Sequence, residues 1–259
     1  MSIKTNIAER LWMAGASGKP IAPISEEVGV EDITLAYQIQ NLNTERRIEN
    51  GSKIIGKKIG LTSEAIQRQV GVEQPDFGVL FHDMEVLNGL SISAKNLMQP
   101  KVEAEIAFVL SHDLDYDTIT TIDVINAIAY AVPAIEILGS RIADWNIKIT
   151  DTVADNASGS HFVIGHTPLP LSEFDMVNAQ MTMKINNTVV SEGTGSACLG
   201  SPINAVLWLA KKMVEVGTPL KKGDLILSGA LGPMIPVNPD DYVEIEISTL
   251  GSASVYFTS

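Results

Sequence analysis

Three acidic side chains in apolar surroundings are the residues of this chain whose types and spacing point most directly to chemistry. Glu103 and Glu105 stand two apart in Pro100-Lys101-Val102-Glu103-Ala104-Glu105-Ile106-Ala107-Phe108-Val109-Leu110, and Glu136 stands alone in Val132-Pro133-Ala134-Ile135-Glu136-Ile137-Leu138. The first segment alternates as a strand does. Val102, Ala104, Ile106, Phe108 and Leu110 point one way; Glu103, Glu105, Ala107 and Val109 point the other. The glutamate face runs on into Ala107 and Val109, so both faces of this strand read as covered. Carboxylates in a covered place persist only when protonated, paired or bound to metal. An all-oxygen ligand set suits a hard divalent ion, Mg²⁺ or Mn²⁺. The ordinary alternative is a solvent-facing pair of glutamates, which is how Glu244 and Glu246 in Val243–Ile247 read. Glu136, in its apolar run, favours a buried site.

Other candidates lie in loops and at strand ends. Lys58, in Gly56-Lys57-Lys58-Ile59-Gly60, could pair with a substrate carboxylate or an oxyanion; taken alone, a surface lysine on an edge strand is the more ordinary reading. Asp76, in the turn-like Gln74-Pro75-Asp76-Phe77-Gly78, reads as an acid or base near a site or as a plain turn residue. Asp151–Ser158 is rich in small polar groups that cap helices as readily as they bind ligands. Ser228-Gly229-Ala230-Leu231-Gly232-Pro233-Met234 could turn backbone N–H groups toward an anion or form a simple turn. The four histidines show no metal-type spacing, Cys198 reads as packed, and Gly193-Thr194-Gly195-Ser196 lacks the lysine and later glycine of a phosphate loop.

These residues sit in a chain of 259 residues, enough for one large domain with a real core or for a domain plus a small amino-terminal segment. The net charge of −13 disfavours nucleic acid as a partner, and it requires a strong local cation if a carboxylate is to bind. No window has the roughly 18 uninterrupted apolar residues of a membrane span. A single cysteine and no secretory pattern at the start make the cytoplasm the expected compartment.

The elements that must position the candidates follow from periodicity. Residues 4–50 read as helical, with Leu35, Ile39 and Leu42 on one face, a stiff Pro20–Pro23 loop, and a stop at Asn50-Gly51. Lys53–Ile59 reads as a strand and Thr62–Val70 as a short helix. Val102–Leu110 is the clearest strand, and Asp123–Val132 fits a helix ending at Pro133, with Ala134–Leu138 and Phe162–Ile164 as short strands. Asn186-Asn187 marks a hairpin between Met181–Ile185 and Thr188–Ser191. Ser201-Pro202 opens a helix that runs to Gly217, and Leu225–Leu227, Val243–Ile247 and Ala253–Phe257 are late strands. Strands and helices do not alternate regularly, so the expected class is α+β with a mixed, mostly antiparallel sheet system. The expected division is a helical segment over 1–52 and a mixed β catalytic domain over 53–259.

Read together, Gly56–Thr62, Gln74–Gly78, Pro100–Ile106, Pro133–Glu136, Gly139–Ile142, Val153–Ser158 and Gly229–Met234 resemble the 2-keto-4-pentenoate hydratases of the fumarylacetoacetate hydrolase superfamily. The resemblance spans residue 20 to the end. It implies a mixed β-sandwich or roll core of that family's type with flanking helices, and a divalent cation held by Glu103, Glu105 and Glu136. It implies Lys58 and Asp76 as catalytic groups, with Ser158, Leu231 and Gly232 on the substrate side. It also implies a small 2-oxo or enol acid as substrate, a homo-oligomer, and association with other enzymes of the same pathway. The implied reaction adds water to 2-hydroxypenta-2,4-dienoate in the breakdown of aromatic compounds. The alternatives are a metal-dependent 4-oxalocrotonate decarboxylase, or a non-catalytic partner subunit of one.

Overall fold

Helix-forming sequence with matched caps opens the chain. The computed structural model describes residues 2–63, 67 and 74–259. In α1 (Ile3–Ser17) the Ser2 hydroxyl caps the Thr5 N–H at 3.3 Å, and Gly18 ends the helix at a φ of +66°. A single turn, α2 (Ser25–Val28), follows the proline loop. In α3 (Ile33–Glu49) Asp32 caps the Leu35 N–H at 2.9 Å. The buried stripe of α3 is Ala36, Ile39, Gln40 and Thr44, with Leu35 and Leu42 only flanking it. Polar Gln40 belongs there because its amide donates to two backbone carbonyls, Phe77 O at 3.0 Å and Val153 O at 2.9 Å. The helix expected over 62–70 lies largely outside the described residues.

The rest is α+β, as expected. One sheet has seven strands in the order β2-β1-β9-β4-β5-β6, with β10 also paired to β4. Its members are β1 (Ile54–Gly60), β2 (Asp76–Phe81), β4 (Lys101–Leu110), β5 (Ile128–Leu138), β6 (Gly159–Ile164), β9 (Leu225–Ala230) and β10 (Ile235–Pro236). The second sheet has five, β3-β12-β11-β7-β8: β3 (Ser91–Ser93), β7 (Gln180–Ile185), β8 (Thr188–Thr194), β11 (Tyr242–Ile247) and β12 (Gly251–Thr258). Pairing is antiparallel except for β1 with β9 and β12 with β3. Val102, Ala104, Ile106, Phe108 and Leu110 of β4 enter one core with Val243, Ile245 and Ile247 of β11, so the sheets pack through these faces. Among the described residues, three further α-helices follow: α4 (Thr121–Ala127), α5 (Ile149–Ala154) and α6 (Pro202–Glu215). α6 lays Ile203, Val206, Leu209, Ala210 and Met213 on the same core.

Three sequence expectations need correction. The helix expected over Asp123–Val132 stops at Ala127, and Ile128–Val132 runs on as strand through Pro133. Proline is tolerated because Pro133 sits just past the end of β6: its carbonyl accepts from Gly165 N at 2.8 Å on that side, where the ring nitrogen also points and no ladder donor is needed. Gly165 has no side chain because a Cβ would press on the Pro133 ring. Gln74–Gly78 is not a loop throughout, since Asp76 begins β2. Lastly, β1 lies between β2 and β9, and Lys58 is 2% exposed, so the edge-strand reading of that lysine fails.

Candidate active site

Strand register brings the three glutamates together. Glu103 on β4 lies directly opposite Glu136 on antiparallel β5, and Glu105 lies opposite Ala134 one step along. Opposed residues of such a pair have Cβ atoms about 4.5–5.5 Å apart, so their carboxylates reach one point. One oxygen from each of Glu103, Glu105 and Glu136 lies within 4.8 Å of the others. Glu105 and Glu136 are 0% and 1% exposed, while Glu103 is half-buried and forms the more open side.

Lys58 and Asp76 join them from the neighbouring pair of strands. Lys58 Nζ stands 3.2 Å from Glu136 Oε1 and donates to Ala157 O at 2.9 Å. Asp76 accepts from Thr152 Oγ1 at 3.4 Å, and Thr152 Oγ1 is 3.3 Å from Ser158 Oγ. Gly229 N donates to Glu105 Oε2 at 2.7 Å. Gly229 has a φ of +109°, and a Cβ there would collide with Thr62, so only glycine delivers this N–H.

Four acids thus share an enclosure with one lysine. Burial, then Glu136, pushes the Glu103 carboxyl up to about 7. Burial raises Glu105 well above the carboxylate range, with Glu136 and Glu103 adding to it and the Gly229 N–H opposing. Asp76 is raised by burial more than Lys58 lowers it. For Lys58 burial favours the neutral amine, but Glu136, Asp76, Glu103 and Glu105 together outweigh it and raise the ammonium above its ordinary value. These directions describe unbalanced negative charge. Oε2 of Glu136, Oε1 of Glu105 and Oδ1 of Asp76 are buried without a hydrogen-bond partner, and Oε1 of Glu136 has the Lys58 ammonium beside it but no well-aligned donor. Buried carboxylate oxygens without donors are costly. A cation with a preference for oxygen fits this donor set, and Glu103, Glu105 and Glu136 are the residues that could hold it.

The other expected residues are placed as follows. Ser158 is buried beside Thr152, two bonds of contact from Asp76. Leu231 is enclosed, its N–H donating to Ala104 O at 2.9 Å and its carbonyl accepting from Thr194 N at 3.0 Å. Gly232 packs against Met181, Ser191 and Glu192. Among the described residues no hydrogen bond ties Leu231 or Gly232 to the carboxylates. The expected Ser228–Met234 loop is strand β9 as far as Ala230, and its Gly229 N–H is turned toward the protein's own Glu105 carboxyl. Sequence reading did not single out Thr152, Asn156 or the Arg141–Asp155 ion pair. The one available signal was the consecutive Asp155-Asn156, because asparagine is tolerant of left-handed backbone.

Comparison with known proteins agrees with the geometry. The family model described as Fumarylacetoacetate (FAA) hydrolase C-terminal matches residues 58–257, a span that contains every residue of the cluster. The chain belongs to the fumarylacetoacetate hydrolase family. It is 51% identical to a TodF product hydratase of Pseudomonas putida F1, over 96% of this chain and 93% of that one. It is 50% identical to a 2-keto-4-pentenoate hydratase of Paraburkholderia xenovorans LB400, over 97% and 94%. Among solved structures, 4-oxalocrotonate decarboxylase from Pseudomonas putida G7, complexed with magnesium and adipate, superposes with a TM-score of 0.93 at 34% identity, covering 98% of this chain and 97% of that one. No helix among the described residues is long and apolar enough to cross a membrane.

Proposed function

We propose that this protein hydrates 2-hydroxypenta-2,4-dienoate to 4-hydroxy-2-oxopentanoate with a divalent cation, Mg²⁺ or Mn²⁺, held by Glu103, Glu105 and Glu136. That it is a hydratase-type lyase follows from relatives of that name at half identity over nearly the whole chain. The observation that carries the metal site is the convergence of three carboxylates, with Oε1 of Glu105 and Oε2 of Glu136 buried and without a donor. A cation there supplies positive charge to the substrate's carboxylate and C2 oxygen, an effect worth several kcal/mol when negative charge develops on that oxygen.

The reaction balances without a redox partner. The enol gives up its O–H proton and C5 gains one, which yields an α,β-unsaturated 2-oxo acid. Water then adds at C4 and a proton at C3. Lys58 has three N–H donors; one meets Ala157 O and another faces Glu136, and the third, which has no partner among the described residues, is assigned to steady the C2 oxygen. Asp76, with Oδ1 unpaired, is the second group able to hold or move a proton. Ser158, Leu231 and Gly232 are assigned to the substrate side of the site. The catalytic domain is assigned to 53–259, with 1–52 as a supporting helical segment, in line with the family match that begins at residue 58. A homo-oligomer that works alongside enzymes of its pathway in the cytoplasm completes the proposal.

The test is loss of dienoate absorbance with purified protein. Turnover should vanish with a chelator and return with Mg²⁺ or Mn²⁺. Full activity in metal-free protein, or CO₂ release from 4-oxalocrotonate with the dienoate untouched, overturns the reading.

A further inference from the structure

Three consecutive residues beside Lys58 have backbone that their side chains disfavour. Asn156, Ala157 and Ser158 have φ of +55°, +49° and +54°. None is glycine, and left-handed backbone is unfavourable for any residue with a Cβ, asparagine least so. Such a run persists only when its surroundings over-determine it, and strain of this kind gathers at functional sites. Here Ser158 N donates to Asp155 O at 3.0 Å, Gly139 N donates to Ser158 O at 2.9 Å, and Ala157 and Ser158 are both buried.

The strongest restraint is the Asn156 carboxamide. Its Oδ1 accepts from Val79 N at 2.7 Å and its Nδ2 donates to Val79 O at 3.0 Å. Val79 lies on β2, the edge of the large sheet, and these backbone groups face away from β1. One side chain therefore does what a neighbouring strand would do there. The next residue, Gly78, lies directly opposite Lys58 on β1, and a Cβ on it would meet both Asn156 O and Lys58 Cδ. A closed circuit results: Lys58 on β1, Gly78 and Val79 on β2, Asn156, and then the Ala157 carbonyl, which returns to Lys58 Nζ at 2.9 Å.

We propose that Asn156 is a positioning residue: by clamping the left-handed turn to the edge of β2, it fixes the Ala157 carbonyl that holds the Lys58 ammonium against Glu136. The proposal rests on the catalytic role given to Lys58 above. Both polar ends of the Asn156 carboxamide are taken up by Val79, so in this assignment it acts through the lysine.

The test compares Asn156→Ala and Asn156→Gly in the full chain. Glycine accepts the left-handed conformation and keeps the test readable if alanine impairs folding. Both variants should lose roughly 10–100-fold in kcat, the scale of a small misplacement of a reacting group, while KM and Mn²⁺ affinity stay within about threefold. In metal-free protein, acylation of Lys58 by an amine reagent, followed by peptide mass spectrometry, should quicken by roughly fivefold or more as the ammonium loses its fixed acceptor. Full kcat in Asn156→Gly would mean that the backbone conformation suffices, and would overturn the proposal. So would unchanged Lys58 labelling, or metal affinity falling in step with kcat, which would signal general loosening. If the unaltered protein leaves the dienoate untouched, the proposed function fails and the labelling result alone decides the role of Asn156.

Discussion

Val102-Glu103-Ala104-Glu105-Ile106 on β4 and Val243-Glu244-Ile245-Glu246-Ile247 on β11 are nearly the same five residues. Their apolar members meet in one core between the two sheets, so both strands turn their glutamates outward from it. On β11 outward is toward water: Glu246 is exposed, Glu244 is half-buried, and their in-register neighbours are Lys184, Thr182, Ser252 and Ser254. On β4 outward is toward a second covered layer. Glu103 is met by Glu136, Glu105 lies between Ala134 and Ala230, and the face continues into a patch that includes Ala107, Val132 and Phe162. The alternation fixes the direction of each carboxylate. What lies over that face decides whether the carboxylate is merely solvated or becomes a ligand.

The contrast can be broken most sharply at its two lysines. Replacing Lys58 with Met should nearly abolish turnover and, in metal-free protein, reduce stability by about 3–5 kcal/mol, because the buried carboxylates lose the one cation that faces them among the described residues. Lys184→Met, in register with Glu244, should cost less than about 0.5 kcal/mol in the same denaturant titration, since a partly exposed lysine on a solvent-facing sheet surface has little to lose. Equal costs would end the argument from environment. Next in size, Glu105→Gln should slow turnover about a hundredfold, close to 3 kcal/mol of transition-state stabilisation, and weaken Mn²⁺ binding measured by calorimetry. Unchanged metal affinity would remove Glu105 from the ligand set. Gly229→Ala should cost about 2 kcal/mol in thermal unfolding and reduce activity, because the strained residue pushes on Thr62 and withdraws the N–H from Glu105. Smallest of all, Glu244→Gln and Glu246→Gln should leave melting temperature, metal binding and turnover almost unchanged, within about 0.5 kcal/mol.

Period-two alternation made β4 legible, and the Asn186-Asn187 pair, both at positive φ, made the β7–β8 hairpin legible. Ser201 and Pro202 marked the start of α6. These signals are local, and so is the apolar run that exposed Glu136 as unusual. What could not be read is set by partners distant in sequence. Pro133 looks like a helix stop until the end of β6 is seen beside it. Lys58 looks like a surface residue until β9, about 170 positions away, pairs with its strand. Asn156 belongs to an ordinary polar loop until Val79 presents the free edge of β2. Each misreading came from a single residue whose meaning depended on which strand edge stood next to it.

Asp151 has an equally long reach. Its Oδ2 caps α5 through Lys148 N at 2.8 Å, while Oδ1 accepts from Ile24 N at 2.6 Å and Ser25 N at 2.9 Å. The helix that leads into the strained turn is thereby moored to the proline-rich loop between α1 and α2. A protein begun at residue 53 would strip this carboxylate of two of its three donors and unroof Ile149 and Val153, which pack on the opening helices. The first fifty residues lend no ligand to the carboxylate cluster, yet they act as its keystone: a protease cut there would be felt at Lys58.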